Sequence, residues 1–209
     1  MDNLRESSKR LADKYQQWIL GPQAGGTVIR PQGQSHQHPD RFYYLKSKAP
    51  RKFLQYESQT WGINLGWTDD AAPATGRRVA RWFFMRQGKS ERPIRYGETI
   101  AIAYENMERF VRYQNRSVGI NLNWSDRPVY EWQILGGRHD VAVETQVWIV
   151  IVNLKAGDGG EPLVYFDRTR GGDIGWPCSS TWGEQLLGAA WDEAKAMARK
   201  LLLESLESD

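Results

Sequence analysis

Amide and carboxylate side chains recur at matched places in this chain, and matched polar groups are what a hydroxyl-rich ligand would require. Asn64 stands in Trp61-Gly62-Ile63-Asn64-Leu65-Gly66-Trp67-Thr68-Asp69, and Asn121 in Val118-Gly119-Ile120-Asn121-Leu122-Asn123-Trp124-Ser125-Asp126. Alignment on the Trp puts Asp173, ahead of Ile174-Gly175-Trp176, at the same position. Amides donate and accept while carboxylates only accept, so three such groups form a set able to bind hydroxyls or a small polar ligand. Asp69 and Asp126 follow the Trp and either accept bonds from a sugar or cap the next turn. Asn64 and Asn121 have a structural alternative too, since Asn and Asp often bond the backbone of an adjoining turn.

Other chemistry finds less support. His36 and His38 lie near Asp40, but a metal site needs a third or fourth ligand at defined geometry, so no metal and no cofactor are expected. Cys178 is the one thiol, and His139-Asp140 the one pair able to activate it. No spacing links them, and Pro177-Cys178-Ser179-Ser180 matches no nucleophile signature. A phosphate-cradling Gly loop is absent from the sequence as well.

The elements that would position the polar groups follow from the repeat. Phe53-Leu54-Gln55-Tyr56 precedes the first copy and Phe110-Val111-Arg112-Tyr113 the second, without a gap between them. Period-two runs are expected as strands at Phe42–Lys46, Phe53–Glu57, Gly62–Thr68 and Arg81–Arg86, then at Thr99–Tyr104, Arg109–Tyr113, Gly119–Ser125 and Tyr130–Leu135. A third, eroded copy opens with Val147-Trp148-Ile149-Val150-Ile151-Val152 and continues through Leu163-Val164-Tyr165-Phe166. Gln185-Leu186-Leu187-Gly188 echoes Gln133-Ile134-Leu135-Gly136 at the same 52-residue offset that separates Trp124 from Trp176. Strand alternation puts Ile120, Leu122 and Trp124 on one face, and Ile63, Leu65 and Trp67 likewise, so these Trp are expected to be core.

Both termini are expected to be amphipathic helices. Leu4, Leu11, Tyr15, Trp18 and Ile19 form one stripe stopped by Gly21-Pro22, and Trp191, Ala194, Met197, Ala198, Leu201 and Leu202 form another. The expected organisation is a helix at 1–22, a connector at 23–40, a β domain at 41–188 and a helix at 189–209. The repeats within the β domain run about 41–88, 94–137 and 145–188.

Three copies of a four-strand unit resemble the β-trefoil, a six-stranded barrel capped by three hairpins. That resemblance implies an all-β trefoil barrel flanked by the two helices. Ricin-type lectins of this fold carry Gln-x-Trp near each repeat end. Here Gln59-Thr60-Trp61 and Gln146-Val147-Trp148 fall at non-equivalent places, and the repeat-end position reads Tyr130-Glu131-Trp132. The aromatic-rich strands are also similar to those of fascin-like trefoils.

Composition narrows the class. A quarter of the residues are charged and 40% hydrophobic, with ten Trp, as suits a folded domain with a sizeable core. One Cys permits no internal disulfide, and the charged N-terminus carries no signal-peptide pattern, so a cytoplasmic location is expected. Residues 1–60 hold ten Lys/Arg against five Asp/Glu, while 141–209 hold six against eleven. No dense basic run points to nucleic acid. Lys9, Arg10 and Lys14 flank a stripe too short to favour a membrane surface. The leading expectation is a non-enzymatic, lectin-like module for a glycan or small polar ligand, using Asn64, Asn121, Asp173, Asp69 and Asp126. The alternatives are a scaffold that binds a protein partner or homodimerises through its terminal helices, and an enzyme with one pocket at a barrel end.

Overall fold

A computed structural model describes residues 18–22, 27–32, 42–48, 51–58, 63–69, 81–88, 90–104, 108–116, 120–157, 160–165 and 174–176. Every regular element among them is a strand: β1 (Trp18–Pro22), β2 (Tyr43–Ser47), β3 (Phe53–Gln55), β4 (Gly66–Thr68), β5 (Trp82–Arg86), β6 (Ile100–Tyr104), β7 (Arg109–Tyr113), β8 (Leu122–Ser125), β9 (Trp132–Leu135), β10 (Trp148–Asn153), β11 (Glu161–Pro162), β12 (Val164–Tyr165) and β13 (Ile174–Gly175). Alternating Val, Ile, Phe and Trp make these segments strands because branched and aromatic side chains pack well on a pleated surface.

Six of them close a ring in the order β1, β2, β5, β6, β9, β10 and back to β1, with every neighbouring pair antiparallel. Closure leaves the barrel wall without an exposed edge. The remaining strands form hairpins on the ring: β3 and β4 extend from β2, β7 and β8 from β6, and β11 pairs with β10. Strands β12 and β13 pair with each other.

One expectation is corrected here. Residues 18–22, read from sequence as the end of a helix, are the strand that closes the barrel. Trp18 and Leu20 are fully buried while Ile19 between them is half-buried, which is a period of two and not of 3.6. Tertiary pairing decides the matter: β1 runs beside β2 over five register pairs, from Trp18↔Ser47 to Pro22↔Tyr43. The rest of the expected N-terminal helix, the C-terminal helix and the strand expected at Gln185–Gly188 lie outside the described residues.

Three sets of contacts recur around the ring. The Trp at the start of β1, β5 and β9 faces a residue at the start of its neighbour, the second of β10 and the first of β2 and β6: Trp18↔Ile149, Trp82↔Tyr43 and Trp132↔Ile100. Each indole N–H donates at 2.8 Å to a hairpin carbonyl: Trp18 to Leu163, Trp82 to Leu54 and Trp132 to Val111. A second set closes one end. Ile29 donates its backbone N–H to Val143, Val143 to Ile94 and Ile94 to Ile29, each at 2.8 Å, and all three side chains are fully buried. Three residues further on, Gln32, Gly97 and Gln146 donate to Phe84, Ile134 and Leu20 at 2.7–2.9 Å. Gly97 and Gln146 hold positive φ there, 82° and 62°, which costs Gly little and Gln more.

Because Trp18 fills a core position and donates a buried hydrogen bond, Trp18→Ala should lower unfolding free energy by about 3–5 kcal/mol. Denaturant unfolding of Trp82→Ala and Trp132→Ala should give losses of the same size. A loss below about 1 kcal/mol at Trp18 alone, as for an exposed helix residue, would contradict the strand assignment.

Candidate ligand-binding surfaces

The hairpins bring aromatic rings together where successive strand groups meet. Trp67 stacks on Trp18 at 6.1 Å and 14°, Trp124 on Trp82 at 6.4 Å and 13°, and Trp176 tilts on Trp132 at 6.0 Å and 31°. A tyrosine from the preceding hairpin meets each: Tyr165 meets Trp67, Tyr56 meets Trp124 and Tyr113 meets Trp176, at 5.4–6.0 Å. Such pairs contribute about 0.5–1.5 kcal/mol each beyond area burial. Trp176 is buried, whereas Trp67 and Trp124 are half-buried against the main core. The three tyrosines are half-buried as well, so these junctions present part of an aromatic surface. Their recurrence was visible in Phe53–Tyr56 and Phe110–Tyr113, but no sequence signal told that these Tyr would face a Trp of the next hairpin.

The two asparagines have different side-chain partners. The Asn64 amide donates to the Tyr56 hydroxyl at 2.8 Å, beside Trp124. Asn121 Oδ1 accepts from the Arg116 backbone N–H at 3.0 Å. Their backbone carbonyls do the same job in both hairpins, accepting from Glu57 and Gln114. Asp69 is 83% exposed and pairs with Lys52 at 3.4 Å; Asp126 is exposed at the end of β8. Asp173 lies outside the described residues. The structure therefore joins Asn64 to an aromatic junction and leaves Asp69 and Asp126 on the hairpin rims.

Next to Asn121 lies a polar row. Arg112 and the Asn123 amide both donate to Gln114 Oε1, the first at 3.2 Å, and Asn123 Oδ1 accepts the Trp124 backbone N–H at 2.8 Å. The matching positions of the first hairpin hold Gln55, Glu57 and Gly66. There the Glu57 carboxylate fills the space a Cβ on residue 66 would take, 1.7 Å from its Oε2. One hairpin thus presents an anionic acceptor where the other presents an amide and a guanidinium.

Charged groups also gather beyond β5. Arg86 pairs with Glu98 at 2.6 Å, both largely buried, and Glu98 accepts the Arg95 backbone N–H. On the surface Arg95 pairs with Asp140 at 2.7 Å. The hydrogen bond and charge of Arg95 hold the Asp140 carboxyl below the usual carboxylate range. His139 lies against Gly97, where a Cβ would meet its ring at 2.5 Å. No group of three or more His, Cys, Asp or Glu able to hold a metal occurs among the described residues. His36, His38, Asp40 and Cys178 lie outside them.

With this geometry in hand, comparison with known proteins finds no matching family model, no matching curated protein and no matching solved structure.

The Asn64 bond should contribute about 0.5–1.5 kcal/mol, so denaturant unfolding of Asn64→Ala should show a loss of that size. A depressed carboxyl pKa makes Asp140 stabilising above the ordinary carboxylate value, and that contribution disappears as pH falls through the lowered one. Carbon-detected NMR titration should give Asp140 a midpoint below that of an unpaired Asp, and Arg95→Gln should move it upward. An unchanged midpoint would contradict the pairing.

Proposed function

We propose that this chain is a β-trefoil whose role is non-enzymatic binding of a saccharide. The observation that carries the ligand reading is the junction of half-buried Tyr56 and Trp124 with the Asn64 amide. Sugars offer apolar C–H faces and hydroxyls, and a partly exposed ring flanked by an amide suits both. Related junctions at Tyr113 with Trp176 and at Tyr165 with Trp67 would let weak contacts add through avidity. Asn121, Asp173, Asp69 and Asp126 complete the proposed polar set.

The trefoil reading draws support from barrel closure. Once β1 takes the last place in the ring, Gln16-Gln17-Trp18 reads Gln-x-Trp with its Trp matched to Trp82 and Trp132. The two matched places read Ala80-Arg81-Trp82 and Tyr130-Glu131-Trp132, so the recurring Trp supports the trefoil arrangement and not the ricin-type motif. In this reading the third repeat draws its fourth strand from the N-terminal side of the sequence. The expected repeat boundary at 188 would move accordingly.

A glycan-array screen of the full chain at moderate salt, beside the Asn64→Ala/Asn121→Ala variant, tests the proposal. Saccharide-selective binding is expected, with at least about a tenfold loss in the variant. The variant's melting temperature should fall by only about 2–4 °C per kcal/mol removed. Failure of the folded wild type to bind any saccharide would overturn the ligand reading, and equal binding by the variant would overturn the site.

A further inference from the structure

The outer wall made by β10, β1, β2 and β3 carries one row of residues across four strands: Trp148↔Ile19, Ile19↔Lys46 and Lys46↔Phe53. Two ammonium groups lie on the aromatic rings of this row. Lys46 Nζ stands 5.1 Å from the centre of the Phe53 ring, and Lys48 Nζ 5.5 Å from that of Trp148. Arg51 and Lys52 adjoin them where β2 passes to β3, with the Ser47 backbone N–H donating to the Lys52 carbonyl at 3.0 Å. Lys48 and Arg51 are exposed, Lys46 and Lys52 half-buried. Among the described residues Lys52 alone of the four has a carboxylate partner, Asp69 at 3.4 Å. This charge is particular to one strand group. Residues 48–52, between β2 and β3, hold three cations and no carboxylate. The matching connection 105–108, between β6 and β7, holds two carboxylates and no cation, and 154–160, from β10 to β11, holds one of each. Arg51 also sits at φ 56°, a conformation in which Gly would be unstrained.

We propose that this wall binds an acidic polysaccharide, with the sulfate or carboxylate groups of the ligand on Lys46, Lys48, Arg51 and Lys52. Contact with the rings holds two ammonium groups that would otherwise sweep many rotamers, so less side-chain freedom is lost on binding. Two observations favour an acidic glycan over other polyanions. Single-stranded nucleic acid binds largely by stacking its bases on open aromatic rings. Here each ring of the row already carries an ammonium group, and Phe53 is only 7% exposed. A membrane surface would draw in an apolar face as well as cations. The one large hydrophobic side chain exposed among the described residues is Val141, two residues from Val143 at the closed end of the barrel. Tyr56, Trp67 and Trp124 of the aromatic junctions are not part of the row, so this inference does not depend on the junction site.

Titration calorimetry of the full chain with dextran sulfate and carboxymethyl dextran, beside neutral dextran of the same length, tests it. At least one acidic chain should bind about tenfold or more tighter than the neutral one, and its binding should weaken as salt rises. Lys46→Gln/Lys48→Gln/Arg51→Gln should lose about tenfold or more. Arg109→Gln/Arg127→Gln/Arg138→Gln removes as much charge from exposed positions elsewhere and should lose less than about twofold. Both triple variants alter solvent-facing groups and should melt within about 3 °C of the wild type. Trp148→Leu leaves the charge unchanged and should weaken binding about two- to fivefold by freeing Lys48. Asn64→Ala/Asn121→Ala should bind the acidic chain as the wild type does, so failure at this wall and failure at the junctions are read separately. Three outcomes would overturn the inference: a folded wild type that binds neither acidic chain better than neutral dextran, equal losses in the two triple variants, or tighter binding to a thymidine oligonucleotide or to phosphatidylserine vesicles than to either acidic dextran.

Discussion

Three indole hydrogen bonds hold this structure together. An indole N–H buried without a partner forfeits its hydration, at a cost of about 1–3 kcal/mol. Trp18, Trp82 and Trp132 avoid that cost only if Leu163, Leu54 and Val111 turn their carbonyls inward. Each bond therefore fixes a hairpin to the barrel wall. The same three rings then receive Trp67, Trp124 and Trp176 from the hairpins. A single interaction, repeated three times, thereby sets the hairpin tilt, the aromatic junctions and the placement of the polar groups above them.

The far end of the barrel is governed by a different constraint with the same order. The cyclic backbone bonds among Ile29, Val143 and Ile94 satisfy every donor in a place where water cannot reach. Because each segment donates to one neighbour and accepts from the other, no strand group can shift alone. This explains why the chain tolerates Gln146 in a left-handed conformation at the place that Gly97 takes in the preceding strand group: the ring over-determines the backbone there.

Most strands were legible in the sequence, with boundaries within a few residues, because the first two repeats check one another. Arg109–Tyr113 is the same in both readings, and β4 starts later than expected because Ile63 to Leu65 make a tight turn in which Leu65 donates to the Ile63 carbonyl. Leu122 and Ile120 repeat that turn ahead of β8. The sixth barrel strand was not legible. It precedes the strand groups it completes by over a hundred residues, and Trp18-Ile19 lies where a 3.6-residue stripe and a two-residue alternation both fit. Its likeness to Trp132-Gln133-Ile134-Leu135-Gly136 was the available signal. Of the proposed site, the Asn positions and the Tyr repeat were readable. Pairing of each Tyr with the next hairpin's Trp was not, because it depends on how strand groups pack and not on any local pattern.

The barrel differs from its own symmetry in informative places. Glu57 over Gly66 replaces the Arg112, Gln114 and Asn123 row, and one outer seam is apolar where the others carry Lys46 or Gln133. The buried Trp contacts recur three times around the ring while the outward residues differ from seam to seam. The central claim is that residues 18–22 close the barrel as a strand equivalent to β5 and β9. Exchange rates of the individual indole N–H protons, followed by NMR, test it most directly. The account predicts that Trp18, Trp82 and Trp132 exchange at one common slow rate, set by global unfolding. A Trp18 indole exchanging orders of magnitude faster than the other two would contradict it.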